Sequence, residues 1–357
     1  MINAPDHIKT LKPYIPGKPI EELERQLGIK NSIKLASNEN PLGPSPLAVK
    51  AMTEHLSRIN RYPDGSGFYL KNAIAENLNI KNEEIILGNG SNELIDITVR
   101  TFVTSANNCI MADPSFPIFY ISTEKANAMP IKTALKEQKH DLISMADKIN
   151  EKTKIVFIAN PNNPTGTIVT KDEFDAFMNK INDNALVVSD EAYNEYVSDK
   201  NYPDTLKYIK EGRGNILILR TFSKIHGLAG LRIGYGIGHK HIIEQMKNVV
   251  EPFNTSSLAQ IAAIEALKDK DHIRKTIELN EKGKDYLYSE FDKLNIDYTK
   301  TQANFIYVNL NRDAKEIYEK LLHKGIIVRP MQRNTLRITI GKEEENKEFI
   351  HKLKEVL

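Results

Sequence analysis

The stretch KIVFIANPNNPTG, residues 154–166, decides the fold class. Its apolar run at 155–159 is unbroken, and so are ALVV at 185–188 and ILIL at 216–219. A strand with one wet face alternates between apolar and polar residues. A strand buried on both faces reads as a continuous apolar run, which is the mark of a parallel sheet covered by helices. Working outward, the pattern predicts further strands at 84–87, 108–112 and 232–237, with helices over 46–59, 68–79, 92–103, 171–181 and 257–267. From 271 onward a long helix (271–294), a strand (304–309), a helix (314–324), two strands (326–329 and 336–340) and a last helix read as a compact α+β unit. The first 35 residues are Pro-rich and irregular and are expected to pack on that unit. The expectation is an α/β protein with a mostly parallel sheet. Its large domain spans 36–250, and a smaller α+β domain is formed by 1–35 with 251–357.

Composition narrows the function without naming it. The 357 residues carry 49 Lys and Arg against 47 Asp and Glu, a formal charge of +2. A dedicated nucleic-acid or anionic-membrane binder shows a strong basic excess, so neither partner is expected. With 40% hydrophobic and 27% charged residues the chain is globular. No apolar run approaches the roughly 18 residues that span a bilayer, and the opening MINAPDHIKTLKPY lacks the apolar stretch of a secretion signal. One cysteine, Cys109, permits no internal disulfide and points to a reducing cytoplasm. The nine histidines show no His-Glu-x-x-His spacing, so no metal is expected.

An open α/β sheet binds its ligand at the carboxyl ends of its strands, so the loops there carry the argument. Gly88-Asn89-Gly90-Ser91-Asn92-Glu93 follows the first strand. Its glycines admit a close ligand and the free N–H groups of the next helix favour a phosphate, although an ordinary capped turn has the same pattern. Asn160-Pro161-Asn162-Asn163 presents side-chain amides at the sheet edge. Asp190 ends an apolar strand and is followed by Glu191-Ala192-Tyr193. It either caps a turn or meets a protonated heterocyclic nitrogen, because a buried carboxylate is costly without a cation or donor. Thr221-Phe222-Ser223-Lys224 follows ILILR, with Arg232 further on. Most lysines are solvated. One placed after a buried strand, among hydroxyls and nearby cations, can have the lowered pKa that a Schiff-base nucleophile requires. A phosphate cup, an acid, a phenol, an amide, a lysine and an arginine on one sheet edge together fit pyridoxal phosphate.

The chain resembles the fold-type I pyridoxal-phosphate aminotransferases, and within them the histidinol-phosphate aminotransferase branch, over nearly its whole length. NPNNPTG and RTFSKIHGLAGLRIGYGIG (220–238) carry the superfamily likeness, with KLASNENPLGPSP (34–46), RYPDG (61–65), VVSDEAYNEY, ANFIYV and LRITIG narrowing it. The resemblance implies that Lys224 holds pyridoxal 5'-phosphate covalently, Asp190 pairs with the ring nitrogen, and Tyr193 and Asn163 bond the ring hydroxyl. Phe116 stacks on the ring. Ser91, Asn92, Ser223 and Arg232, with Thr221 as a lesser member, hold the phosphate. Tyr62 reaches the phosphate of a neighbouring subunit, which implies a homodimer. Arg337, Arg329 and Tyr14 face the substrate's acidic group, with Asn163 beside it. Each of the last three also has a plainer reading. Arg337 alternates with Leu336 and Ile338 as on a strand's solvent face, Arg329 ends a strand, and Tyr14 sits between prolines. Relatives often have a longer segment before LRITIG, so the short 331–335 segment is expected to border the arginines and to reshape the outer wall of the site.

The implied activity is amino transfer between histidinol phosphate and 2-oxoglutarate in histidine biosynthesis, with Lys224 moving the substrate's α-proton. The alternatives are an aminotransferase for aromatic amino acids or another small phosphorylated amine, a threonine-phosphate decarboxylase, and a non-enzymatic cofactor-binding module. A nicotinamide-dependent dehydrogenase has only the incomplete glycine loop in its favour.

Overall fold

Strand β1 (Ile33–Lys34) leads out of the N-terminal arm. Strands β2 (Ile85–Gly88), β3 (Asn108–Asp113), β4 (Met129–Lys136), β5 (Lys139–His140), β6 (Thr153–Ala159), β7 (Leu186–Asp190), β8 (Ile216–Thr221) and β9 (Gly234–Gly238) then form one sheet, in the order β2-β9-β8-β7-β6-β3-β4-β5. The computed structural model describes residues 1–181 and 183–357. Strands β4, β3, β6, β7 and β8 run parallel, whereas β9 and β5 are antiparallel to their neighbours. The continuous apolar runs are explained by two hydrophobic layers. Val156, Ile158, Val187 and Ile218 face one layer, and Ile155, Phe157, Val188 and Leu219 face the other. Alternate side chains of a strand point to opposite faces, so a strand covered on both sides must be apolar at every position.

Local signals fix the covering helices. Ser45 Oγ accepts the amide of Ala48 at the start of the helix Pro46–His55, and Ser256 does the same for Ser257–Lys268. Thr170 and Glu173 form a reciprocal capping box on Lys171–Lys180. The helix expected over 46–59 is α-helical only to His55, and one tighter turn (Leu56–Arg58) follows. Strand β4 and the helix Ile118–Lys125 lie outside the sequence expectations. MPIKTALK buries only Thr133 fully, so it lacks the apolar run of its neighbours.

The second sheet has the order β10-β11-β14-β13, from β10 (Asp297–Thr299), β11 (Phe305–Asn309), β13 (Arg329–Pro330) and β14 (Thr335–Thr339). Its own core joins Ile306, Val308, Leu336 and Ile338 to Leu287, Phe291, Ile317 and Phe349 of the surrounding helices. The strand expected over 326–329 is divided. β12 (Ile326–Ile327) pairs in parallel with β1, and β13 pairs with β14. The helix Ser257–Lys268 packs its alanines into the core of the large sheet, and the next helix, Lys270–Lys293, carries the chain to the second sheet.

Phe157 is buried and stacks on Phe119, with ring centroids 4.7 Å apart. Phe157→Ala is expected to cost about 3–5 kcal/mol, because the surrounding layer cannot collapse into the void. Urea unfolding of the cofactor-free protein measures this, and a loss below about 1 kcal/mol would contradict the packing account.

Candidate active site

Register brings the site together. Ala159 of β6 pairs with Asp190 of β7, and Asp190 with Leu219 of β8. Three consecutive strands therefore end side by side, and their loops, with the turn into β9, surround a cavity of about 380 Å³. Ser91, Asn92, Phe116, Asn163, Asp190, Tyr193, Thr221, Ser223, Lys224, Arg232, Arg337 and Tyr14 all line it.

One wall is a nest of N–H groups. Gly90 (φ 77°) precedes the helix Ser91–Phe102, whose first turn has no side-chain cap. A methyl group added at Gly90 would lie 2.8 Å from Arg232 Nη2, and one added at Gly234 would lie 2.8 Å from the Ser91 amide nitrogen. Position 234 thus requires glycine for the close approach of backbone, whereas position 90 requires it for its positive φ, since the arginine tip could shift. Arg232 was expected to open a strand; instead it takes a left-handed φ of 54°, and β9 starts at Gly234. Its guanidinium bonds the carbonyls of Ala229 (3.0 Å) and Asn89 (3.3 Å) and lies 3.5 Å from Ser223 Oγ. Thr221 Oγ1 donates to Ser223 Oγ at 3.0 Å and accepts the Ser223 amide at 3.1 Å. This cup of hydroxyls, free amides and one arginine suits a phosphate.

The opposite wall holds the titratable groups. Asp190 is 4% exposed and accepts the Ala192 amide at 3.2 Å. Burial pushes its pKa up to about 7, and neighbouring Glu191 adds to the rise. Lys224 donates to the Ser37 carbonyl at 3.1 Å. Desolvation first, then the charges of Arg337 and Arg232, lower its pKa to about 8, although its side chain keeps some contact with solvent through the cavity. Tyr193 is buried and accepts a hydrogen bond from Asn38 Nδ2 at 2.9 Å, and burial raises its phenol to about 12.

Arg337 is 7% exposed, so it is not on a solvent face. It donates to Asn163 Oδ1 and to the Ala36 carbonyl, each at 2.6 Å, and lies over the Phe305 ring at 5.4 Å. Its Nε has no hydrogen-bond partner among the described residues. Arg329 pairs directly with Arg337 across the β13–β14 ladder. Like charges at such positions repel unless an anion lies between them. Arg329 bonds the Ile15 carbonyl at 2.7 Å and lies 5.4 Å from the ring of Tyr14, so it reaches the cavity only through Tyr14. Residues 331–335 form the tight turn that fixes this pairing, with Met331 N bonding Thr335 O at 3.0 Å. They border the arginines as expected, yet none of them lines the cavity, so they do not form its outer wall.

Tyr62 is absent from this cavity. It is 81% exposed and stacks on Phe253 at 4.6 Å. Conversely, Ser37, Asn38 and Glu39 line the cavity without having been singled out by sequence. The available signal was a run of polar residues wedged between Leu35-Ala36 and Pro41.

Comparison with known proteins agrees with this geometry. Residues 30–353 match the family model for aminotransferase class I and II. The chain belongs to the class I and II aminotransferase family. Among curated relatives, the histidinol-phosphate aminotransferase of Moorella thermoacetica is 48% identical over 98% of this chain and 92% of its own length. That of Caldicellulosiruptor saccharolyticus is 47% identical over 98% of this chain and 99% of its own. The crystal structure of histidinol-phosphate aminotransferase from Sinorhizobium meliloti in complex with pyridoxal-5'-phosphate superposes with a TM-score of 0.91 at 25% identity, covering 98% of this chain and 96% of that one.

For this aminotransferase the buried acid has a measurable consequence. The pKa of Asp190 is higher in the folded protein than the ordinary 3.8, so the native state holds the proton more tightly than the unfolded chain. Its contribution to stability therefore falls as pH rises from the ordinary carboxylate range to about 7. Cofactor-free Asp190→Asn is expected to be more stable than the parent at pH 8 and to lose that advantage toward pH 4. Urea unfolding at both pH values tests this, and an equal difference at the two would contradict it.

Proposed function

We propose that this protein transfers an amino group between histidinol phosphate and 2-oxoglutarate in histidine biosynthesis, using pyridoxal 5'-phosphate. The observation that carries the reading is a depressed lysine and a buried, cation-poor acid facing one cavity beside a phosphate cup, in a chain 48% identical to a histidinol-phosphate aminotransferase. The residues fit the cofactor. Lys224 would hold it covalently. Ser91, Asn92, Ser223 and Arg232 would take its phosphate, with Thr221 fixing Ser223. Asp190 would meet the ring nitrogen, Tyr193 and Asn163 the ring hydroxyl, and Phe116 the ring face.

When bound, the cofactor supplies an electron sink conjugated to the substrate's nitrogen. The chain's own residues do the rest. Asp190, buried without a matched cation, would stabilise a proton on a basic nitrogen placed beside it, because the ion pair so formed relieves the buried carboxylate and is stronger in this dry setting than in water. Lys224, lowered to about 8, gains and loses a proton at Nζ near neutral pH, as a carrier of the α-proton must. Arg337 offers a planar fork that suits a phosphate in one half-reaction and a carboxylate in the other. Its Nε, without a partner among the described residues, and the like charge of Arg329 opposite it support an anion at that end, with Tyr14 beside it.

The same reading divides the chain into a large unit around 36–250 and a small unit from 1–35 with 251–357, although the helix Ser257–Lys268 of the latter span packs into the core of the large unit. It also places the enzyme in the cytoplasm as a homodimer. Tyr62 lies outside its own cavity, exposed and stacked on the exposed Phe253, and Leu56, Ile59, Phe68 and Tyr69 of the neighbouring sequence are exposed as well, which supports a role for it in the neighbouring subunit's site.

Purified enzyme is expected to form glutamate from histidinol phosphate and 2-oxoglutarate. In a panel with phenylalanine and threonine phosphate, glutamate from phenylalanine alone would overturn the assignment. Lys224→Ala is expected to abolish this turnover while circular dichroism shows the fold intact; retained activity would remove Lys224 from its role. Tyr62→Ala and Lys224→Ala, each crippled alone, are expected to regain activity when co-expressed, since one site of a mixed dimer is then whole. Absence of rescue would argue against the shared site.

A further inference from the structure

Asn38 joins the small sheet to Tyr193. It is 1% exposed and holds a left-handed φ of 55°, a conformation asparagine tolerates better than most residues. Its backbone is held from both sides, with its amide donating to Thr339 Oγ1 at 2.9 Å and its carbonyl accepting Asn304 Nδ2 at 3.1 Å. Its side chain bonds Thr339 Oγ1 through Oδ1 at 3.1 Å and Tyr193 Oη through Nδ2 at 2.9 Å.

The proton count fixes the direction of this chain. Thr339 is buried, and its oxygen already accepts the Asn38 amide, so its own proton goes to Asn38 Oδ1. If the amide of Asn38 were turned over, Nδ2 would face Thr339 Oγ1, and the threonine proton would be left buried without an acceptor. In the satisfied arrangement Nδ2 donates to Tyr193. An amide nitrogen only donates, so the phenol oxygen accepts there and the phenol's own proton is unused. Tyr193 lines the cavity, the direction left for that proton.

We infer that Asn38 is a positioning residue that sets the polarity of Tyr193, so that the phenol acts toward the cavity as a hydrogen-bond donor. The inference rests on the pyridoxal-phosphate reading, in which the group that Tyr193 meets is the ring oxygen of the cofactor. A donor there stabilises that oxygen as an anion. Without it, the protonated form of the bound cofactor persists to higher pH.

The test uses the loaded enzyme and reads the pH midpoint of the bound cofactor's visible absorbance, together with the dissociation constant for pyridoxal phosphate. Asn38→Asp replaces the donor by an acceptor and draws the phenol proton away from the cavity. Its midpoint is expected to rise by about one pH unit, in the same direction as Tyr193→Phe. Added to Tyr193→Phe, Asn38→Asp is expected to move the midpoint by less than it does alone, the remainder being the direct effect of the new charge. Melting of the cofactor-free variants reports any general damage. If Asn38→Asp fails to fold, Asn38→Ala serves the same comparison, with a smaller shift that disappears without Tyr193. An unmoved midpoint in the folded variant, or an equal shift with and without Tyr193, overturns the inference while the parent still binds cofactor. A parent that takes up no pyridoxal phosphate overturns the cofactor reading and the inference with it.

Discussion

Two carboxylates leave the end of β7 in succession, and the protein treats them oppositely. Glu191 is 1% exposed and forms a two-point ion pair with Arg220 of β8, at 3.1 and 2.9 Å, and also accepts Ser189 and Thr205 hydroxyls. Among the described residues, Asp190 receives one backbone amide and no arginine of its own. A buried charge without a matched counter-charge is unfavourable, so the proton equilibrium of Asp190 shifts toward the neutral acid. The demand for a cation that Arg220 satisfies on one face of the strand is left open on the other. That open demand faces the cavity, and the choice of ligand follows from it.

The remaining walls answer the same demand with the opposite sign. Lys224, Arg232 and Arg337 converge on one cavity in a chain whose formal charge is only +2. Their mutual repulsion, added to desolvation, is what brings the lysine down toward neutral pH. The arginines thus have two effects: they make the cavity favourable for anions, and they make the lysine easier to deprotonate. Neither effect needs a strongly basic surface.

Much of this was legible in the sequence, for a physical reason. A strand covered on both faces must be apolar throughout, so KIVFIA, ALVV and ILIL announced adjacent strands, and the polar residues that ended them had to share an edge. Asn163, Asp190, Ser223 and Lys224 were found that way. Strand β4 escaped because its lysines point to water near the sheet's end. Arg232 was misread as a strand residue because apolar patterning carries no sign of φ. Asn38 and Glu39 were passed over because their place depends on packing against Thr339, Tyr193 and the lysine loop, contacts far away in sequence. Tyr62 shows the converse. Its motif was readable, but one chain gives it nothing to touch in its own cavity.

The segment from Leu35 to Ser45 is bonded alternately to the two sides of the molecule. Leu35 and Ala36 bond residues of the small sheet and its neighbour β12, Ser37 bonds Lys224, Asn38 bonds both Thr339 and Tyr193, Asn40 bonds the Ile225 carbonyl and Thr276, and Ser45 bonds the His226 carbonyl and Asp269. It works as a stitched seam. A rotation of one sheet against the other cannot pass it without being absorbed in these residues or pulling on the carbonyl that holds the amine of Lys224. The small sheet and the amine of Lys224 are thus joined through one short stretch of backbone, with the Ser37 carbonyl as its last link.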